Sequence, residues 1–161
     1  MRHQKAGRKL KRTASHRKAT LIALATALLR HKKIRTTVAK AKEARLLAER
    51  LITRAKKAVQ SEGDKKNVHV RRYVAQYIKD RDVVKELFTE IVPKVLNRTG
   101  GYTRVVKLGQ RHGDAAEVAI LELVDFNTGQ EKNTPSEKKK KKEKEAKHIK
   151  AVAEAKAEPK F

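Results

Sequence analysis

Residues 98–125 read RTGGYTRVVKLGQRHGDAAEVAILELVD, and the change of period within them decides the fold. Gly100-Gly101 breaks whatever precedes it, because neither residue carries a Cβ to restrict the backbone. Tyr102–Leu108 and Glu117–Val124 are then rich in β-branched and apolar residues, separated by Gly109 and His112-Gly113-Asp114. That is the pattern of a β-hairpin with a long loop. Both faces of the second segment are apolar apart from Glu117 and Glu122, so this strand is expected at the centre of its sheet.

Working toward the N-terminus, the period becomes helical. Val84, Leu87, Phe88 and Ile91 form one stripe, with Asp80 or Asp82 as its cap and Pro93 expected to end or kink the helix. Val70, Tyr73, Val74, Tyr77 and Ile78 form another, behind a loop at 61–66 that contains Gly63. A longer stripe of Ala44, Leu47, Ala48, Leu51, Ile52, Ala55 and Val59 predicts a helix over 38–59 with Thr37 as its cap. Ile34 to Val38 is β-branched and reads as a brief strand. Leu21, Leu24, Ala25, Leu28 and Leu29 predict an amphipathic helix over 16–31 behind Ser15, with His31, Lys32 and Lys33 suited to its negative pole. Helices on one side of a small sheet satisfy every apolar stripe. The expected architecture is a two-layer α+β domain over 15–126, with about four helices packed on a small mixed three-stranded sheet. An extended basic arm over 1–14 precedes it. The Lys- and Glu-rich stretch 127–161 follows as a low-complexity tail, expected to be mostly disordered.

Charge is distributed unevenly. The 161 residues contain 42 Lys and Arg against 18 acidic residues, a net of +24. The first 42 residues hold 14 cations and no carboxylate: Arg2, Lys5, Arg8, Lys9, Lys11, Arg12, Arg17, Lys18, Arg30, Lys32, Lys33, Arg35, Lys40 and Lys42. The first acid is Glu43. Residues 43–125 mix 17 cations with 12 acids, as solvated surfaces do. A stretch without internal acids takes its counter-charge from outside, which points to a polyanion, and nucleic acid is the expected one.

Other function classes lack support. There is no Cys, which excludes disulfides and thiolate metal sites and suits a reducing cytoplasm. His3, His16, His31, His69, His112 and His148 are scattered, without a metal-ligand spacing. No GxxxxGK loop, nucleophile elbow or second positioned carboxylate accompanies Ser15 or Asp114. No catalytic residue, metal, cofactor or small-molecule substrate is therefore expected. The longest apolar stretch, Ala19–Leu29, is interrupted by Thr20 and Thr26 and is too short to span a bilayer. The basic start lacks a following apolar core and cleavage site, so no signal peptide is expected. Two rivals keep some footing. A DNA-compacting architectural protein would share the lysine-rich tail. A membrane-surface protein would share the amphipathic helix 16–31, which lacks Trp and Phe on its apolar face.

Three segments, MRHQKAGRKLKRTASHRKA at 1–19, IRTTVAKAKEARLLAERLITRAK at 34–56 and the 98–125 stretch, together resemble the bacterial large-subunit ribosomal protein family numbered seventeen. They cover arm, second helix and hairpin in the right order. Gln4 stands where many members place Arg, and the tail is longer than in familiar members. The resemblance implies binding to large-subunit (23S-type) ribosomal RNA, neighbouring large-subunit proteins near the nascent-chain exit, and a cytoplasmic place in the ribosome. It also carries over the arm residues Arg2, His3, Lys5, Gly7, Arg8, Leu10, Arg12, His16 and Arg17.

The candidate RNA-binding residues are accordingly the 14 early cations with His3 and His16, and a second surface on the hairpin: Arg98, Tyr102, Arg104, Lys107, Arg111 and His112. Arg and Lys there neutralise phosphates and release counterions. Tyr102 is placed either to stack on a base or to pack in the sheet, and the sequence leaves both open. Arg104 and Lys107 fall on opposite faces of a regular strand and cannot both enter one groove. Tyr73, Tyr77 and Phe88 lie on helical stripes and read as core. No homo-oligomer is expected.

Overall fold

A computed structural model describes residues 7–61 and 67–126; the expectations for Arg2, His3, Lys5 and the tail at 127–161 lie outside them, as does the loop expected at 61–66 apart from Ser61, which ends α2. The element order is α1 (Ala14–His31), β1 (Lys33–Thr37), α2 (Val38–Ser61), α3 (Val68–Tyr77), α4 (Arg81–Glu86), a π turn (Leu87–Ile91), α5 (Val92–Val95), β2 (Thr103–Gln110), β3 (Glu117–Leu123) and a closing 3₁₀ turn (Val124–Phe126).

The strands form one sheet in the order β1-β3-β2. The apolar second strand of the hairpin is thus central, as its two-faced pattern requires. The sheet is antiparallel throughout rather than mixed: Ile34 pairs with Leu121 on one side of β3 and Val105 pairs with Leu121 on the other, both antiparallel. β1 and β2 run in the same direction but each bonds only to β3, so no parallel pair arises. Leu108 is an extra residue in β2, since Lys107 pairs with Ala119 and Gly109 with Val118. Gly109, at φ +104°, takes the conformation this bulge demands at little cost.

α2 is the central helix and packs against α1, α3, the π turn, α5 and all three strands. Its buried residues are Val38, Ala41, Ala44, Ala48, Leu51, Ile52, Ala55 and Ala58, a stripe at i, i+3 and i+4 spacing. Leu47 and Val59, expected in that stripe, pack at its edges, half-buried. α1 adds Ala25, Leu28 and Leu29; the sheet adds Ala119, Leu121, Leu123 and Tyr102. Side-chain ties cross the layers. Glu49 on α2 accepts hydrogen bonds from the hydroxyl of buried Thr103 at 2.9 Å and from Arg45 at 3.1 Å, and Lys56 Nζ donates to the Arg98 carbonyl at 2.7 Å.

Helix ends differ from expectation in two places. α1 starts before Ser15, behind Thr13, whose extended backbone accepts the first helical bond from Arg17 N–H at 2.9 Å without a side-chain cap. Pro93 neither ends nor breaks its helix. The turn before it is widened, with Val92 N–H donating to the Leu87 carbonyl five residues back. That shift of one residue accommodates a ring that lacks a donor and crowds the preceding turn. The helix continues to Val95 because Leu87, Phe88, Ile91, Val92 and Val95 all face the core. Asp80 caps α4, its carboxylate accepting from Asp82 N–H at 3.1 Å.

Leu121 is fully buried where both strand pairings meet. Leu121→Ala is expected to lower unfolding free energy by about 2–5 kcal/mol, read from the urea midpoint at unchanged m-value.

Candidate nucleic-acid interface

The described part of the arm is folded onto the body rather than extended. Leu10 and Lys11 both adopt positive φ, 55° and 50°, and the turn is closed by Arg12 N–H donating to the Lys9 carbonyl at 3.1 Å. The Arg12 guanidinium donates to the Thr20 hydroxyl on α1. Gly7, at φ +84°, lies against α2: a Cβ there would stand 3.3 Å from Glu43 Oε2. Its missing side chain therefore serves the approach of the arm to the first carboxylate in the chain. With Gly7 lying against Glu43 and the Arg12 side chain tied to Thr20, Arg8, Lys9 and Lys11 stand exposed.

The candidate cations separate by what they already touch. Lys32 ends α1 in the left-handed conformation (φ 63°), its N–H donating to the Leu28 carbonyl at 2.8 Å. Its ammonium donates to the Leu29 carbonyl at 2.8 Å and to Glu86 on α4, and stands 5.2 Å from the Phe126 ring centroid. It is a half-buried structural clamp. Arg98 donates twice to Asp125, at 3.1 and 2.8 Å, and this carboxylate raises its already high pKa. Arg30 pairs with Asp80, Arg104 lies 3.9 Å from Glu122, and Arg111 is bonded to Asp114. Among the described cations before Glu43, only Arg30 and Lys32 pair with a carboxylate. Arg8, Lys9, Lys11, Lys18, Lys33, Arg35 and Lys42 are exposed and Arg12, Arg17 and Lys40 half-buried.

Tyr102 is corrected from the candidate surface. It is 2 % exposed and among the largest buried side chains, so its ring fills the core between sheet and helices and is closed to a base. Phe88 is buried, and Tyr73 and Tyr77 are half-buried against the core. Arg54 covers the Tyr73 ring at 3.8 Å, and Arg71 the Phe88 ring at 4.1 Å.

Strand alternation sorts the hairpin cations. Val105 packs on the core and Thr103 bonds to α2, so Lys107, on the same face, points to the helix side. There it lines a cavity with Arg8 and Lys42. Arg104 shares the outward face with Val106, Ile120 and Glu122, opposite Lys33 and Arg35. His112 is exposed at the hairpin tip and His16 near the start of α1. One cation left unremarked by the sequence reading is Arg50, which lines a groove of about 380 Å³ with Arg17, Lys18, Leu21, Leu46 and Tyr77. Its helical spacing from Glu43 and Leu46 is the signal that places it on that side of α2.

Among the described residues no three His, Asp or Glu side chains come together as a metal site, and no helix is long and apolar enough to cross a membrane. The hairpin tip is closed by Arg111 N–H donating to the Ala116 carbonyl at 3.0 Å and by Ala116 N–H donating to Asp114 at 3.2 Å. Arg111, foremost, and that backbone N–H hold the Asp114 carboxyl down at about 2. The charged form is thus favoured in the folded loop, so this support is complete above the ordinary carboxylate value of 3.8 and is lost as pH falls toward 2. In an NMR titration the Asp114 carboxyl and the Ala116 amide are expected to move together with a midpoint near 2. A midpoint at 3.8, the unperturbed value, would show the pairing absent.

Comparison with known proteins gives a consistent picture. The model of the family described as ribosomal protein L17 matches residues 20–124. The large ribosomal subunit protein bL17 of Salinibacter ruber is 53% identical over 127 residues, covering 79% of this chain and 60% of the relative. Its counterpart from Chlorobium limicola is 49% identical over 135 residues, 84% of each chain. That from Pelodictyon phaeoclathratiforme is 48% identical over 157 residues, 96% of each. The chain thus spans 60% of the length of the Salinibacter relative and nearly all of the Pelodictyon one.

Proposed function

Since this chain belongs to the ribosomal protein L17 family, we propose that it binds and stabilises folded large-subunit (23S-type) ribosomal RNA through phosphate and shape contacts, and so supports subunit assembly and translation. Membership makes the protein a structural constituent of the bacterial large ribosomal subunit, in the cytoplasm and not an enzyme. Contacts with neighbouring large-subunit proteins near the nascent-chain exit belong to the same reading.

The observation that carries it is the set of early cations that, among the described residues, have no carboxylate partner. Arg8, Lys9 and Lys11 stand exposed on a turn closed by a backbone bond, tied to α1 through Arg12 and lying against Glu43 of α2 at Gly7. Side chains presented from a fixed backbone lose less conformational freedom on binding than those of a free arm. Repulsion among them disfavours the free protein and is relieved by phosphates. The outward sheet face carries Lys33, Arg35 and Arg104 but aliphatic Val106 and Ile120 where base-stacking sheets carry aromatics. Recognition of phosphate positions and RNA shape fits these residues better than a base code. In this proposal Lys18, Lys40, Lys42, Lys107, Arg111, His16 and His112 add to the contact surface, whereas Lys32 and Arg98 hold the fold.

The combined substitution Arg8→Gln, Lys9→Gln and Lys11→Gln removes charge without touching the Arg12–Thr20 tie. In filter binding to large-subunit RNA over roughly 50–200 mM salt, it is expected to reduce the slope of log K against log salt by about 2–3. The free protein should stay folded, with a melting temperature equal to or slightly above that of the wild type because like-charge repulsion is reduced. An unaltered slope would remove the arm from the interface.

A further inference from the structure

We propose that the pocket between the arm, the β1–α2 junction and the hairpin is a seat for one phosphate of an RNA backbone, which rests on the RNA reading above and specifies it. The cavity has a volume of about 350 Å³ and is lined by Arg8, Thr37, Val38, Lys42, Lys107 and Glu117, among others. Its three cations come from three separate parts of the chain: the arm, α2 and β2. Their convergence is a product of the fold and not of a local run of lysines.

The cluster differs from the paired basic groups of the hairpin and its flank. Arg8, Lys42 and Lys107 each make no ion pair among the described residues, whereas Arg98, Arg104 and Arg111 each have a carboxylate. Glu117, at the start of β3, is the one acid lining the cavity and leaves it cationic. Lys107 reaches this side because it lies before the Leu108 bulge, on the face that Thr103 and Val105 turn toward the helices. Three like charges around one cavity repel each other in the free protein, and an anion with several oxygens relieves that repulsion for all of them at once. A tetrahedral phosphate diester fits this set. The planar Arg8 guanidinium can bridge two of its oxygens, while Lys42 and Lys107 act as point charges and the Thr37 hydroxyl can donate a further bond. Because Arg8 is held by the arm turn, a phosphate seated here also fastens arm to hairpin.

The test uses the full-length protein, isotope-labelled, titrated first with inorganic phosphate and then with a single-stranded RNA of about ten nucleotides, and followed by amide shifts. Saturable shifts are expected at Thr37–Lys42 and around Lys107 and Glu117. The double substitution Lys42→Gln and Lys107→Gln should weaken phosphate binding at least tenfold, and Lys42→Arg with Lys107→Arg should restore it. Shifts spread over all exposed lysines without saturation, or an unchanged affinity in the Gln variant, would overturn the seat. With large-subunit RNA, the Gln variant should lose about one in salt slope. Wild-type slope in that variant overturns the pocket and leaves the RNA reading standing. Saturable phosphate binding in a protein that shows no salt-sensitive binding to large-subunit RNA overturns both the RNA reading and the RNA assignment of this seat. A glutamate-rich peptide competing as well as RNA would reassign the pocket to an acidic protein partner.

Discussion

Close approach to the alanine face of α2 is the constraint on which the rest of the structure depends. Ala41, Ala44, Ala48, Ala55 and Ala58 line one side of this 24-residue helix, with Leu51 and Ile52 between them. Small side chains let α1, the sheet and the later helices pack close to the α2 backbone. Leu28, Leu29, Leu121 and Ile91 can then fill the space between. Aromatic residues make up only 4% of the chain and Trp is absent, so few large rings are available to bridge a wider gap. Aliphatic packing of this kind depends on many weak contacts at short range. Phe88 and Tyr102 are the two buried rings, and the second shows the same economy: the one tyrosine of the hairpin is used as core filling beside Leu123 and Val124, whose N–H donates to the Tyr102 carbonyl at 3.0 Å.

A net charge of +24 on a small aliphatic core would oppose compaction unless the charges were kept apart or paired. The fold does both. Body carboxylates are set beside specific cations far away in sequence: Asp80 with Arg30, Glu86 with Lys32, Asp125 with Arg98. These pairs join elements to each other, and Lys32 and Lys94 also flank the Phe126 ring. These partly exposed pairs tie elements together more than they add to stability, and they determine which cations remain for an external anion. The early segment has no acid of its own, and among the described residues its cations meet carboxylates only where the end of α1 approaches α4 and the π turn.

The fold was legible in the sequence wherever the signal was local and periodic. The stripes of α1 and α2, the break at Gly100-Gly101 and the central place of β3 all follow from spacing and from the two apolar faces of 117–124. What was not legible depends on contacts made across the chain. Pro93 signals a helix end locally, yet five buried neighbours hold the helix together through a widened turn. The direction of β1 relative to β3 depends on chain routing, which periodicity does not record. At the interface, the basic character of the first 42 residues was plain, but the division of its members into clamp and free cation was not. Arg30 meets its acid 50 positions away and Arg98 meets its acid 27 positions away, and no spacing rule anticipates such pairs. Tyr102 has the same explanation: following two glycines it suits an exposed turn or a buried strand start equally, and only the assembled helices close over it.

The arm gives the closest link between fold and function. Two successive non-glycine residues in the left-handed region, Leu10 and Lys11, each cost about 1–2 kcal/mol relative to ordinary backbone. Such a turn persists only where its surroundings hold it, here the Lys9–Arg12 bond, the Arg12–Thr20 tie and the contact of Gly7 with α2. The strain is therefore borne by contacts to the body, and the cations beside it inherit a fixed position. Residues 7–13, too polar to form a core of their own, extend one, with Arg8, Lys9 and Lys11 exposed. Neutralising those charges relieves repulsion without requiring the backbone to reorganise. The same contacts that shape the turn thus prepare its outer side for a polyanion.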